Sequence, residues 1–263
     1  MPAGPPYRPV IGLVPAAGAA RRLGRLPCSK EILPVGVRDT PQGPRTRVIC
    51  ERLFEGFRRA GICRSLVVLR RDKWDVAAHL GDGADLGLQL AYLAVDATAG
   101  IPETIDRAFP WVEDFDVALG FPDTWFTPGD VFVHLLERLR GSPTRPQVVL
   151  GCVPAERSEK TDMVDADDAG RVRRIVVKET GTGLRDAWFV AVWKPLFSGY
   201  LHDYLADPPS GRAVGETYPG HVLQAAIEDG LGVEAVTFPG GRFLDVGTPE
   251  DLARALEGGA LKP

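Results

Sequence analysis

The sequence predicts an α/β fold with a mixed, mainly parallel sheet, and three observations support that prediction. The chain has 263 residues, enough to bury a sizeable core. Hydrophobic residues make up 44% and charged residues 25%, which is ordinary globular usage and excludes disordered, collagen-like and coiled-coil classes. Short apolar runs alternate with helical patterns over the whole length, as strands and helices do in α/β proteins.

The first predicted unit is a strand, a helix and a second strand. Residues 10–14 form an apolar run that stops at Pro15, the pattern of a buried parallel strand. Residues 47–60 carry apolar side chains three and four positions apart and are followed by Gly61, which predicts a helix. Residues 65–69 predict the second strand. Such a unit implies parallel strands joined by a right-handed crossover.

The same alternation continues downstream. Further strands are predicted at residues 88–93, 117–119, 147–153, 172–177, 187–193, 232–238 and 242–244, and further helices at residues 101–109, 131–139 and 220–229. Several strands fall close together between residues 150 and 195, which predicts a partly antiparallel insertion there. We expect residues 1–9 to be a flexible N-terminal tail and residues 10–263 to be a single domain.

Charge, cysteine spacing and hydropathy exclude several classes of function. The net charge of −4 removes the overall attraction that non-specific binding of a polynucleotide needs. The four cysteines are widely spaced, with no C-x-x-C pair and no clustered histidines, so neither a disulfide framework nor a zinc site is predicted. No basic leader and no apolar run of membrane-spanning length is present. We therefore expect a soluble, cytoplasmic protein without a polynucleotide or membrane partner.

The loop after the first strand has the composition of an anion-binding site. Ligands of open α/β sheets bind beyond the carboxyl ends of the strands, and small residues there let backbone N–H groups surround a phosphate. The small residues are Ala16, Ala17, Gly18 and Ala19, and the basic residues that follow are Arg21, Arg22 and Lys30. Neither a G-K-[ST] loop nor a G-x-G-x-x-G loop is present. A surface turn with solvated arginines is the alternative interpretation.

This stretch resembles the signature of nucleotidyltransferases that join a nucleoside triphosphate to a sugar phosphate. In that signature a small-residue loop precedes Arg-Leu and a lysine precedes Leu-Pro, as Arg22-Leu23 and Lys30 with Leu33-Pro34 do here. Further matching segments follow in the order and spacing of glucose-1-phosphate thymidylyltransferases, over residues 10–256. They are residues 80–83, Gly100, residues 120–123, Lys178 and residues 243–248.

The resemblance implies a fold and a reaction. The implied fold is the Rossmann-like, three-layer nucleotidyltransferase (glycosyltransferase-A-like) fold. The implied reaction is the Mg²⁺-dependent transfer of a nucleoside monophosphate, with dTTP or UTP favoured as donor, to a sugar 1-phosphate, releasing pyrophosphate. Such transfer needs positioning and charge neutralisation more than a covalent nucleophile. Family enzymes are often dimers or tetramers, so the resemblance also implies a homo-oligomer.

Two aspartates are the candidate metal ligands. Asp123 follows one predicted strand and Asp245 follows another, so both carboxylates are expected at the same edge of the sheet. Mg²⁺ prefers such oxygen ligands together with substrate phosphates, and the family uses its aspartates in this way. Asp123 as a plain turn residue, and Asp245 as a support for the helix that begins at Thr248, are the alternatives.

The resemblance implies roles for the remaining candidates. Arg22 would hold the leaving pyrophosphate, and Lys30 would contact the α-phosphate in the transition state, with Asp123 as the third catalytic residue. Ala16, Ala17, Gly18, Ala19 and Gly100 would bind the nucleotide. Lys178 would bind the phosphate of the acceptor, with Arg212, Glu216 and Trp188 as further substrate contacts. A solvated strand lysine and a plain loop arginine are the alternatives for Lys178 and Arg212.

Departures from the family pattern leave the substrates open. Val95 stands where the thymidylyl enzymes carry a base-reading Gln, and Val177 replaces the Glu that accepts a sugar hydroxyl. Thr161-Asp162 replaces a Tyr-Gly pair, and Trp188 replaces a small Gly. A cytidylyltransferase acting on a non-sugar or polyol phosphate is therefore an alternative. A catalytically silent nucleotide-binding homologue is another, whereas an NAD-dependent oxidoreductase lacks its glycine fingerprint.

Overall fold

The computed structural model describes residues 7–40, 43–155, 158–207 and 217–257. The described strands are β1 (Val10–Ala16), β2 (Pro34–Thr40), β3 (Gly43–Val48), β4 (Arg64–Arg70), β5 (Gln89–Val95), β6 (Asp116–Leu119), β7 (Thr124–Thr127), β8 (Val148–Pro154), β9 (Asp162–Ala166), β10 (Val172–Val177), β11 (Asp186–Trp193), β12 (Val233–Thr237) and β13 (Arg242–Asp245). The described α-helices are α1 (Glu51–Arg59), α2 (Trp74–Leu80), α3 (Ile101–Asp106), α4 (Phe109–Val112), α5 (Val131–Gly141), α6 (Pro195–Ala206), α7 (Pro219–Glu228) and α8 (Pro249–Leu256).

Within the described residues, nine strands form one mixed sheet. Its main path runs β10-β9-β11-β6-β1-β4-β5, and β8 pairs with both β11 and β12. Strand β1 is parallel to β4 and β6, and β4 is parallel to β5, which confirms the predicted β-α-β unit. Strand β11 pairs antiparallel with β6, β8 and β9, so the predicted antiparallel insertion lies on one side of the sheet.

Helices cover both faces of this sheet, which gives three layers. Successive residues of a strand point to opposite faces, so Leu13 and Val14 of β1 enter two different cores. Val14 packs in the core beneath α1, α2 and α5, which includes Phe57 and Phe132. Leu13 packs in the core beneath α3, α6 and α7. The expected mainly parallel α/β architecture is therefore confirmed.

The predicted helix at residues 47–60 begins later than expected. Arg47 and Val48 belong to β3, which pairs antiparallel with β2 in a separate two-stranded sheet, and the helix begins at Glu51. The helix predicted at residues 101–109 is two short helices, because Pro110 lies in the first turn of α4 and has no N–H to continue the earlier one. None of the helices in the described part of the chain has the length and apolar character that crossing a membrane requires.

A second two-stranded sheet consists of β7 and β13, and we call it the β7–β13 ribbon. It pairs Thr124 with Asp245 and Trp125 with Leu244. Trp125 and Leu244 are buried in a small core that also includes Ala255 of α8. The Thr248 side chain caps the first turn of α8 by accepting from the Asp251 N–H, as predicted. Because β7 follows closely after β6 in the chain, the ribbon lies beyond the carboxyl end of β6.

Candidate active site

The loop after β1 opens the carboxyl edge of the sheet. Ala16 and Ala17 are buried, whereas Gly18 and Ala19 are exposed. A methyl group built on Gly18 would meet no protein atom within 4 Å, so the space beside this backbone is open. Ala20 has a φ of 51°, in the left-handed region that costs an alanine about 1–2 kcal/mol. The loop is held in an unusual conformation and presents accessible backbone beside Arg22.

Lys30 and Asp123, both predicted as catalytic, are in direct contact. The Lys30 ammonium donates to the Asp123 carboxylate, and only 16% and 14% of the two side chains are exposed. The lysine lies in a short 3₁₀ turn, and the preceding Ser29 is held by Asp75, whose carboxylate accepts from both the Ser29 N–H and hydroxyl at 2.7 Å. The turn that carries Lys30 is therefore held in place through Ser29.

The β7–β13 ribbon brings the two predicted metal ligands together. Asp123 immediately precedes β7, Asp245 ends β13, and the Val246 N–H donates to the Asp123 carbonyl at 3.0 Å. Arg22 reaches the same place from the β1 loop. A Cβ on Gly247 would lie 3.0 Å from the Arg22 Nη2 atom and 3.4 Å from the Asp245 Oδ2 atom. Residues from three distant parts of the chain thus meet at one edge of the sheet.

The electrostatics of this cluster favour an additional cation. The Asp245 side chain has a solvent-exposed surface, but protein surrounds it on most sides. This enclosure and the Asp123 charge raise the pKa of Asp245 to about 7, although Lys30 and Arg22 oppose the rise. Burial alone would lower the pKa of Lys30, but Asp123 and Asp245 raise it above its usual value. Lys30 therefore stays positively charged, whereas Lys30 and Arg22 only partly balance a negative charge on Asp245.

The cluster contains two carboxylates, those of Asp123 and Asp245, as candidate metal ligands. In the described part of the chain, no group of three or more His, Cys, Asp or Glu side chains is placed to hold a metal ion. A site of this kind suits Mg²⁺, which is commonly bound by one or two carboxylates with water and substrate phosphates completing the shell. The raised pKa of Asp245 provides the fit, because a nearby cation would relieve the repulsion between the two carboxylates.

Lys178 lies in a second cluster beside the first. It follows β10 with a φ of 51°, an uncommon conformation for a lysine, and its ammonium lies 3.4 Å from the centre of the Tyr218 ring. Asp162 is buried nearby and accepts from the Gly220 N–H at 3.1 Å. Burial raises the pKa of Asp162, while Lys178, the Gly220 N–H and the Trp188 indole lower it.

Trp188 connects the two clusters. It is 7% exposed, and its ring lies 6.0 Å from that of Phe121, two residues before Asp123. Val177 and Val95 pack against the same apolar core at its solvent side. Where the family pattern has polar residues that read the base and the sugar, this wall is therefore apolar.

The remaining predicted residues are placed as follows. Gly100 precedes α3 in an extended conformation, and its carbonyl accepts from the Thr104 N–H and hydroxyl at 3.1 Å. Arg212 and Glu216 lie outside the described residues.

Comparison with known proteins agrees with this geometry. Among curated proteins, the chain is 27% identical over 237 residues to the Low-salt glycan biosynthesis nucleotidyltransferase Agl11 of Haloferax volcanii. The match covers 85% of this chain and 63% of the relative, so the chain spans less than two thirds of that protein's length. The resemblance to sugar-phosphate nucleotidyltransferases is confirmed. No protein-family model matches the chain.

The nucleotidyltransferase resemblance extends to the fold. A Bacillus anthracis crystal structure, of a protein named as a glucose-1-phosphate thymidylyltransferase in complex with a sucrose, superposes with a TM-score of 0.78. The superposition covers 97% of this chain and 96% of that one at 17% sequence identity, a level at which the likeness concerns the fold. The chain therefore has the expected Rossmann-like nucleotidyltransferase fold.

Sequence reasoning missed several polar residues that support the site. Lys73 and Glu31 form a buried ion pair behind the β1 loop, and Tyr218 lies under Lys178. Only Tyr218 carried a local signal, since it directly precedes Pro219 at the start of a predicted helix. The Lys73–Glu31 pair joins residues far apart in the chain, and neither residue is unusual by itself.

Proposed function

We propose that this protein transfers a nucleoside monophosphate from a nucleoside triphosphate to the phosphate of a sugar 1-phosphate, releasing pyrophosphate. The observation that carries the proposal is the convergence of Arg22, Lys30, Asp123 and Asp245 at the carboxyl edge of the sheet. Two cationic and two anionic groups close together suit phosphoryl transfer with a metal ion, since the reaction depends on positioning and charge neutralisation. The nucleotidyltransferase fold supports the same reaction.

Asp123 and Asp245 are the proposed Mg²⁺ ligands. When bound, the metal would neutralise charge on the triphosphate oxygens. The contribution of the chain is to keep both carboxylates at one place, through the pairing of β7 with β13 and the Val246–Asp123 hydrogen bond. Lys30 balances the charge of Asp123 until substrate arrives.

Lys30 and Arg22 are the proposed electrophilic groups. The Lys30 ammonium, already oriented by Asp123, would donate to the α-phosphate as negative charge develops there. The Arg22 guanidinium, which lies over Gly247, would hold the leaving pyrophosphate through its planar fork of donors. The small-residue loop of Ala16, Ala17, Gly18 and Ala19 would bind the triphosphate through backbone N–H groups.

The acceptor phosphate is assigned to Lys178. Its ammonium rests on the Tyr218 ring beside Trp188 and Asp162, close to the Asp123 cluster through Phe121. From there it would orient the attacking phosphate oxygen toward the α-phosphorus, with pyrophosphate leaving in line. Arg212 and Glu216 remain proposed further contacts, and Gly100 a proposed contact of the base.

A screen of pyrophosphate release tests the proposal. ATP, GTP, CTP, UTP and dTTP are crossed with hexose 1-phosphates, amino-sugar 1-phosphates and polyol phosphates, with Mg²⁺ or with EDTA. We expect one donor and acceptor pair, with dTTP or UTP as donor, to give Mg²⁺-dependent release. Asp123→Asn and Asp245→Asn should abolish it. Full release by both variants, shown to be folded, would contradict the assignment.

The apolar wall supports a second candidate, a cytidylyltransferase acting on a non-sugar or polyol phosphate. Val177 offers no hydrogen bond where the family pattern has a Glu that accepts one from a sugar hydroxyl, and an unpaired hydroxyl is costly to bury. CTP turnover with a polyol phosphate would select this candidate. Binding of a nucleoside triphosphate without turnover of any acceptor would instead indicate a silent homologue, although the retained carboxylate pair favours catalysis.

A further inference from the structure

A buried lysine lies behind the loop that follows β1. Lys73 precedes α2, is 5% exposed, and its backbone N–H donates to the Arg70 carbonyl at 2.9 Å. Its ammonium donates to the carbonyl of Ala16, the last residue of β1, at 2.9 Å and forms an ion pair with Glu31. Glu31 is 1% exposed. A fully buried charge pair is costly to desolvate, and removal of one partner leaves the other charge buried and unpaired.

This pair joins the pieces of chain that carry the proposed chemistry. Ala16 begins the small-residue loop, and Glu31 directly follows Lys30 in the same 3₁₀ turn. Asp75, two residues after Lys73, holds Ser29 on the other side of Lys30. The start of α2 is thus attached to both neighbours of Lys30 and to the first residue of the loop.

The charge on Lys73 also decides what Lys30 contacts. Burial raises the pKa of Glu31 above its usual value, although Lys73 and, more weakly, Lys30 oppose the rise. One oxygen of the Glu31 carboxylate has no hydrogen-bond partner among the described residues. Without Lys73, the buried Glu31 charge would lose its main counter-ion, and Lys30 would remain as the other cation that acts on Glu31. That attraction competes with the Lys30–Asp123 contact.

We propose that Lys73 is a positioning residue, whose ammonium holds Glu31 and the Ala16 carbonyl so that Lys30 stays on Asp123. The inference rests on the proposed function, because Lys30 matters only if it acts on a triphosphate. Lys73 itself touches neither of the proposed substrates. Its effect is exerted through the position of Lys30 and the shape of the loop.

Variants of the pair separate positioning from packing. Lys73→Met keeps the aliphatic stem and removes the charge, and we expect kcat to fall by about 10–100-fold, with KM for the nucleotide changing less, because a small misplacement of a catalytic group is costly. Adding Glu31→Gln removes the unbalanced carboxylate, so the double variant should recover part of kcat. Lys73→Arg should retain more activity than Lys73→Met. Lys194→Met, at the opposite edge of the sheet after β11, is the matched control.

The outcomes distinguish the inference from the proposed function. An unchanged kcat in folded Lys73→Met would overturn the inference. So would a double variant whose loss of kcat equals the product of the losses in the single variants Lys73→Met and Glu31→Gln. Amide hydrogen exchange over residues 16–33 gives a readout independent of turnover, and exchange there should be faster in Lys73→Met than in Lys194→Met. Equal exchange in the two variants would show that Lys73 does not hold residues 16–33 in place. If exchange differs between the two variants as expected but the wild-type protein releases no pyrophosphate, the proposed function fails, and with it the role of Lys73 in catalysis. The role of Lys73 in holding residues 16–33 in place would still stand.

Discussion

At the scale of single residues, the charges of the two candidate metal ligands are balanced to different degrees. Lys30 and Asp123 form a contact pair, whereas Asp245 faces Asp123 with only partial compensation from Lys30 and Arg22. Crowded carboxylates of this kind reduce the stability of a metal-free protein and are retained where a ligand needs them. The trade-off between stability and activity should therefore be visible at Asp245.

Replacing Asp245 by Asn should stabilise the metal-free protein. A carboxyl group whose pKa is raised on folding, here to about 7, favours the folded state when protonated, so its contribution is lost as the pH rises from about 4 to above 7. We expect Asp245→Asn to raise the unfolding temperature in EDTA by about 2–4 °C at pH 8 and by less at pH 5. The rise is small because solvent at the exposed Asp245 side chain screens part of the repulsion from Asp123.

Thermal unfolding by circular dichroism measures this effect. Asp96→Asn is the control, since the Asp96 side chain is 78% exposed and pairs with Arg71 at the surface. A lower unfolding temperature for Asp245→Asn at pH 8 would show that the carboxylate is stabilising as it stands.

Lys30→Met should remove most of the activity and little of the fold. Removing one donor aimed at developing negative charge typically costs about 10²–10³-fold in kcat. Asp123 would then lose its contact partner, so we also expect the affinity for Mg²⁺ to rise modestly. Steady-state pyrophosphate release at saturating substrates measures the change against Lys194→Met. Retention of more than about half of kcat would remove Lys30 from the proposed mechanism.

The residues of this cluster were predictable from the sequence to different degrees. Arg22, Lys30, Asp123 and Asp245 stand in a recognisable order, and the carboxyl ends of β1 and β6 place Arg22 and Asp123 at one edge. Asp245 reaches that edge through the pairing of β13 with β7, outside the main sheet. Lys73 could not be found in this way, because a lone lysine before a short helix has the pattern of a surface residue. Its significance comes from the Ala16 carbonyl and Glu31, which only the fold places beside it.

At the scale of elements, the strands with apolar runs were predictable and the polar ones were not. Strands β1, β4 and β6 are buried on both faces and therefore have continuous apolar sequences. The β2–β3 hairpin has exposed polar residues, pairs only with itself, and shows no alternation that would reveal it. Strand β7 has four residues, too few for a pattern.

Packing between α1 and the sheet depends on Gly12 of β1. A Cβ there would lie 2.5 Å from the Ser65 Oγ atom and 2.6 Å from the Phe57 Cε2 atom, both in buried side chains. We expect Gly12→Ala to cost about 1–3 kcal/mol of unfolding free energy, since an overpacked core must shift. Urea unfolding measures it.

Gly199→Ala is the matched control for this substitution. Gly199 lies inside α6, and a Cβ there would meet nothing within 4 Å. Alanine is the better helix former, so a gain of about 0.5–1 kcal/mol is expected. Equal effects of the two substitutions would mean that β1 and α1 are not packed as closely as described.

At the scale of the whole molecule, the sheet determines where the candidate site lies, and the net charge limits which partners we expect. The carboxyl ends of β1 and β6 face the same way, so one edge collects the loop, Lys30 and the ribbon. Acidic residues outnumber basic ones, 35 to 31, and no excess of positive charge is available for a polyanion.

We predict that the protein does not bind nucleic acid. Fluorescence anisotropy with a labelled DNA duplex should give no saturation up to about 100 μM protein at physiological salt, because non-specific binding depends on release of counter-ions by clustered basic residues. Lower salt should change little. Saturable binding with a steep salt dependence would instead mean that the arginines form a basic surface.

The β7–β13 ribbon joins two parts of the chain that are far apart in sequence. Asp123 and Asp245 come from opposite halves of the chain and meet only when β13 pairs with β7. The unit of β1, α1 and β4 is closed by shorter loops and is expected to form earlier, since long loops cost more entropy to close. A growing chain therefore carries the loop and Lys30 well before its second carboxylate. The proposed chemistry would thus begin only once the ribbon has closed.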